Sequence, residues 1–176
     1  KSGDLFDEIT HLNNTDKAKE LAILENAIRL TKEKTLELEK KALSMISEAD
    51  ASIFHVHLLF LDDKSLIDEI RKEINVNTHT AEYSIKVVFE QYKQRFIRLK
   101  DQTFQDKVMD LKDVMLRLAE TVKMLKDGTC PAEEKHTVAP LSERFIIASD
   151  ELLPSALIKM PVDNIAGIIC EKGGAT

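Results

Sequence analysis

All four prolines of this chain, Pro131, Pro140, Pro154 and Pro161, lie beyond Gly128. Proline breaks a helix by removing an N–H donor and clashing with the preceding turn. The stretch from Lys1 to Gly128 is therefore free to build long helices, and the stretch after it is not. The apolar spacing agrees. Leu21, Leu24, Ile28, Thr31, Thr35, Leu38, Ala42 and Met45 recur three and four residues apart, which makes one seam on a helix over 16–47. Asp16 or Thr15 is placed to cap its start. Further helices are expected over 50–61, 64–74, 79–99 and 104–126. Asp62-Asp63 falls between the first two, and Gly128 sits where a helix stop is needed. The 79–99 segment carries Ile85, Val88, Phe89, Tyr92, Phe96 and Leu99. The last carries Phe104, Val108, Leu111, Val114 or Met115, Leu118, Val122 and Leu125. Helices joined by short links fold as antiparallel hairpins. The 21–45 seam would also suit a helical dimerisation module, but its two threonines and its alanine weaken it for that purpose and favour an internal bundle.

After Gly128 the texture changes. Phe145-Ile146-Ile147-Ala148 reads as a strand, Pro154 to Lys159 as a short helix with proline in its first turn, and Ile165 to Ile169 as a second strand. This strand–helix–strand is too short to be a complete α/β unit. The second strand empties into Gly173-Gly174-Ala175-Thr176, a turn whose backbone N–H groups can cradle a phosphate, although most such pairs are only turns. The expected class is thus α+β, mainly α. It has a bundle of two helical hairpins over 16–127, an incomplete α/β subdomain over 128–176, and an irregular lead-in over 1–15 that could be part of the α/β unit.

Charge narrows the partners. A net charge of −6 argues against nucleic acid and against an acidic membrane surface, and permits a basic protein. Trp is absent and aromatics make up 5%, which disfavours stacking platforms for bases or sugars. Cys130 and Cys170 form no CxxC pair, so free thiols in a reducing cytoplasm are expected. No signal peptide or bilayer-length apolar run is visible. The missing initiator Met and the abrupt end read as a piece of a longer protein.

The helix over 50–61 has more apolar residues than an inner face needs. Ile53, Phe54, Val56, Leu58, Leu59, Phe60 and Leu61 populate both its sides, so it either docks a partner or is buried centrally. His55 and His57 are two apart and face differently, so they cannot share a metal. His11, His79 and His136 have no ligand spacing, and Glu133-Glu134 and Asp62-Asp63 read as solvated acids. Asp110, Lys112, Asp113 and Arg117 read either as a helix-surface ion pair worth a few tenths of a kcal/mol or as an electrostatic contact to another domain.

Four segments taken in order sharpen this. Ala51 to Asp63 resembles the "A-x-I-F-x-x-H-x-x-L-L-x-D" helix of the N-terminal half of Enzyme I, the phosphoenolpyruvate–protein phosphotransferase of the bacterial sugar phosphotransferase system. Asp101 to Asp113 resembles its "D-x-Y-L-x-E-R-A-x-D-V-R-D" segment, Phe145 to Ser155 its "I-L-V-A-x-D-L-x-P-S" strand and turn, and Ile165 to Thr176 its "V-x-G-F-x-x-x-x-G-G-x-T" strand and loop. The resemblance covers most of the chain after residue 20.

It implies a swivelling α/β domain whose histidine takes a phosphoryl group from phosphoenolpyruvate, and a helical domain that docks the phosphocarrier HPr. His57, Leu59, Phe60, Lys64, Leu66 and Lys112 then match carrier-docking positions, and Gly173, Gly174 and Thr176 match the loop before the active histidine. That histidine would lie just beyond Thr176, so this piece would dock the carrier without turnover and hold no catalytic residue or metal. Phosphoenolpyruvate, and the magnesium of the full-length enzyme, would belong to a C-terminal domain. The full protein would be a cytoplasmic homodimer and the fragment a monomer. The departures are Lys64 and Ser65, where the family often carries acids, Lys107 and Lys112 in place of arginines, and Leu157 in place of a threonine. A pyruvate phosphate dikinase or phosphoenolpyruvate synthase relative shares a similar Gly-Gly-x-Thr loop and is the enzymatic alternative.

Overall fold

The computed structural model describes residues 5–98, 102–128 and 144–172. The chain divides into two compact units, Lys1–Cys130 and Pro131–Thr176. The first contains α1 (Leu5–Glu8), α2 (Lys17–Met45), α3 (Glu48–Ala51), α4 (Ile53–Asp62), α5 (Lys64–Asn75), α6 (Ala81–Arg98) and α7 (Gln102–Lys126). The second contains β1 (Phe145–Glu151), α8 (Pro154–Lys159), a 3-10 turn (Val162–Asn164) and β2 (Ile165–Lys172). The class is α+β and mainly α, as the sequence predicts.

The long helix starts where Asp16 accepts the N–H of Lys19 at 3.0 Å, as the capping argument requires. Leu24, Ile28, Thr31, Thr35, Leu38 and Ala42 of the predicted seam are buried, together with Ala27. Met45 is an exception. It stands in the last turn, 41% exposed, next to the exposed Leu43 and Ile46. The seam is covered from within the chain, by α4 and α7. The helix expected over 50–61 is two helices, α3 and α4, separated by Ser52. Asp63 then ends α4 and begins α5, its carboxylate accepting the N–H groups of Ser65 (2.8 Å) and Leu66 (3.2 Å).

α6 packs against α5 and α7, and α7 also contacts α2 and α4. From Leu111 to Ala119 every residue of α7 except Lys112 is buried. The helix buried on nearly all sides is therefore α7 rather than α4. Gly128 follows it with φ +65°, the left-handed conformation that stops a helix. Before α2, the Asn14 side-chain amide donates to the carbonyls of His79 (2.7 Å) and Ile74 (3.2 Å), and its backbone N–H donates to Thr78 (2.6 Å). Phe6 of α1 stacks on Phe89 of α6 at 5.1 Å.

In the second unit β1 and β2 pair in parallel, from Phe145 opposite Ile165 to Glu151 opposite Lys172. Parallel neighbours need a crossover connection, and α8 with the 3-10 turn supplies it. Pro154 opens α8, where its missing N–H costs nothing. Cys170 is a free, half-buried thiol, and Cys130 lies outside the described residues.

Candidate functional site

α4 decides the geometry. Helical spacing puts Phe54, His57 and Leu61 on one face, and all three are buried. Leu59 points the other way and is 56% exposed. His55 is exposed, and Ile53, Val56, Leu58 and Phe60 are half-buried. The apolar surplus of this helix is therefore shared between the core and an outward-facing strip.

His57 has no exposed surface and sits edge-on to Phe54, with ring centroids 5.4 Å apart. Its Nδ1 lies 2.9 Å from Nη2 of Arg117. The same guanidinium donates from Nε to Asp113 Oδ1 at 3.0 Å and from Nη1 to Thr35 Oγ1 at 2.7 Å. Thr35 passes its own proton to the Thr31 carbonyl (2.7 Å). Thr31 donates to Ala27 O (2.7 Å) and lies 3.2 Å from Thr121 Oγ1, and Thr121 donates to the Arg117 carbonyl (2.8 Å). A polar network thus runs through the middle of the bundle and joins α2, α4 and α7. It fails to satisfy one atom, His57 Nε2, which is buried without a hydrogen-bond partner. Such a group costs about 1–3 kcal/mol.

Asp113 and Arg117 are one turn apart on the most buried helix, with side chains 0% and 9% exposed. Both sequence-based expectations for this pair, a solvated surface contact or a contact to another domain, are corrected by that burial. Burial lowers the Arg117 pKa, and Asp113 acts against that shift. Burial also pushes His57 down, to about 4. Asp113 acts to raise it, and Arg117 lowers it further. The imidazole is neutral at physiological pH.

The residues assigned by resemblance fall in three groups. Leu59 and Lys64 are exposed, and Phe60 and Lys112 are half-buried. His57 and Leu66 are buried, so they can act on a partner only through what they hold in place. Gly173, Gly174 and Thr176 lie outside the described residues. The network was missed because Thr31 and Thr35 read as weak points of a seam. The signal was there: two threonines at core positions of α2, and an Asp–Arg pair at i, i+4 inside the apolar run of α7. Among the described residues no group of His, Cys, Asp and Glu side chains could hold a metal ion, and no helix is long and apolar enough to cross a membrane.

Residues 3–107 match the family of PEP-utilising enzymes, N-terminal. The chain belongs to this family. Among curated relatives it is 27% identical over 162 residues to the phosphoenolpyruvate-protein phosphotransferase of Mycoplasma capricolum, covering 92% of this chain and 27% of that protein. The enzyme of the same name from Bacillus subtilis is 24% identical over 164 residues, 93% of this chain and 27% of that one. The Escherichia coli protein described as a phosphoenolpyruvate-dependent phosphotransferase system is 26% identical over 171 residues, 97% of this chain and 22% of that one. The chain therefore spans about a quarter of the length of these relatives. Among solved structures, the solution structure of an Enzyme I protein superposes with a TM-score of 0.71 at 24% identity, over 94% of this chain and 64% of that one. The N-terminal domain of Enzyme 1 - Nitrogen gives 0.69 at 23%, over 98% and 67%. The PEP-utilising family member described here thus has the fold of the Enzyme I N-terminal domain.

Proposed function

We propose that this chain is the N-terminal part of an Enzyme I-like phosphoenolpyruvate–protein phosphotransferase, and that its helical unit docks the phosphocarrier HPr or a homologue. The alignment of nine-tenths of the chain with proteins named phosphoenolpyruvate-protein phosphotransferase carries this reading. The outward strip of α4, with Leu59 exposed beside the half-buried Phe60, supports it locally, because an apolar side chain presented to solvent among polar neighbours suits a protein contact.

In the full protein, a histidine following the Gly173–Thr176 loop attacks the phosphorus of phosphoenolpyruvate. Enolpyruvate leaves, and the phosphoryl group passes from that imidazole to a histidine of the carrier. The helical unit holds the two imidazoles in reach of each other, which replaces a bimolecular encounter by a positioned transfer. Phosphoenolpyruvate would be handled by a C-terminal domain of the full protein, where a bound magnesium ion would neutralise phosphate charge. The full protein is a homodimer working in the cytoplasm. The dikinase alternative is not favoured by the relatives. The dimerisation alternative loses its seam, which α4 and α7 already cover.

The test is an amide NMR titration of the chain with HPr from the same organism. Shifts clustered on 53–66 and on α7 are expected, and an unchanged spectrum at high carrier concentration refutes the docking reading. Separately, the full-length protein should take acid-labile phosphate from phosphoenolpyruvate.

A further inference from the structure

His57 lies at the centre of the α4 face opposite Leu59, and the chemistry of its bond to Arg117 is unambiguous. A guanidinium has donors only. Nδ1 of His57, 2.9 Å from Arg117 Nη2, must therefore accept, and the neutral ring carries its proton on Nε2. That N–H is the buried atom without a partner. An apolar side chain would fill the site without leaving such an orphan, so packing alone does not explain an imidazole here. What the imidazole offers is the acceptor at Nδ1.

The acceptor completes a three-way clamp. Arg117 reaches Asp113 on its own helix, Thr35 on α2 and His57 on α4 from one rigid planar group. Helix packing by apolar side chains tolerates some rotation of a helix about its axis. A hydrogen bond to one ring nitrogen tolerates far less. Successive residues of a helix are about 100° apart, so a modest turn of α4 would carry Leu59 and Phe60 away from the positions they now present.

We propose that Arg117 and His57 are positioning residues that fix the rotation of α4, and with it the presentation of Leu59 and Phe60 to a docking protein. The inference rests on the docking reading above and identifies what holds the docking strip in register. Neither side chain is required to touch the carrier.

The experiment compares the chain with its His57→Asn and His57→Leu variants in the HPr titration. Asparagine keeps an acceptor oxygen near the Nδ1 position, whereas leucine keeps the bulk and loses the acceptor. The expected result is an affinity within about threefold of the parent for His57→Asn and a loss of about tenfold or more for His57→Leu. A packing role predicts the reverse order. Leucine equal to or better than asparagine would overturn the proposal. Should His57→Leu fail to fold, Arg117→Lys takes its place. It keeps the charge beside Asp113 but cannot span to both Thr35 and His57, so affinity should again fall by about tenfold, and unchanged affinity overturns the clamp. A parent chain that does not bind HPr at all removes the docking reading, and this inference with it. Long-range nitrogen–proton spectra of the imidazole add a check independent of any carrier: the Nε2–H tautomer is expected, and the Nδ1–H tautomer contradicts the Arg117 bond.

Discussion

Acidification should weaken the helical unit through one identifiable side chain. In the folded chain His57 titrates at about 4, against 6.5 for an unperturbed imidazole. The charged groups that face it, Asp113 and Arg117, both come from α7; from α2 the network brings the neutral Thr31 and Thr35. Between those two pH values the unfolded chain holds a proton on this ring and the folded chain does not, so stability rises with pH across the window. The contribution is fully present above 6.5 and is lost as pH falls to about 4. At about 1.4 kcal/mol per pH unit, the loss from this group is at most about 3 kcal/mol. That is a large share of the 5–15 kcal/mol typical of a domain, taken as roughly that range here. Urea unfolding followed by far-ultraviolet circular dichroism, from neutral pH down to about 4, measures it against His57→Asn, which has no ring to titrate. Carboxylates contribute to both proteins and cancel in the difference. The parent should lose stability more steeply across the window. Parallel curves would show that His57 does not titrate low in the folded state, and the argument from its burial beside Arg117 would be wrong.

Four further outcomes follow from the same structure. Arg117→Met should cost about 3–5 kcal/mol in urea unfolding because it removes the guanidinium that pairs with the buried Asp113 carboxylate, and adding Asp113→Leu should recover much of that loss. Leu59→Ser should move stability by less than about 0.5 kcal/mol, since the side chain is 56% exposed, yet weaken HPr binding in a titration by about tenfold. Thr78 is a β-branched residue held at φ +57°, so Thr78→Gly should raise the thermal midpoint, by a gain of about 0.5–1 kcal/mol. Gly128→Ala should do the opposite and cost about 1 kcal/mol; a Cβ there meets nothing within 4 Å, so the whole cost comes from φ +65°.

The helices were legible because their signals are local. Asp16 before an apolar seam, Asp62-Asp63 between two apolar runs and Gly128 after a third each act within a few residues, and the boundaries fall at or beside them. The parallel strands were legible for the same reason, since proline and apolar runs mark β1, α8 and β2. The site was less so. Thr35, His57 and Arg117 are 82 and 60 residues apart in their two contacts, and no short-range pattern announces that they meet. An Asp–Arg pair at i, i+4 looks the same in sequence on a solvated face and in a core. Its meaning changes only once α7 is known to be covered by α2, α4 and α6. The departure of Met45 from the seam has a similar origin: a period continues to the end of α2, where Met45 is nonetheless exposed.

The clasp made by Asn14 bears on where this helical unit can be cut. Three carbonyls at the end of α5 and in the turn to α6, those of Ile74, Thr78 and His79, accept hydrogen bonds from that one asparagine. Leu12 and Ile9 add to the seam from the same side, accepting from the Thr80 N–H and from the Lys86 ammonium. A shortened version beginning at the cap of α2 would keep every long helix and still take the three Asn14 hydrogen bonds from this turn, leaving the left-handed Thr78 to the local bonds that Asn77 and His79 make with Glu73. Protease would then find its first opening between α5 and α6, more than sixty residues downstream of the deletion, and the natural edge of the bundle lies before Ile9 rather than at the first long helix.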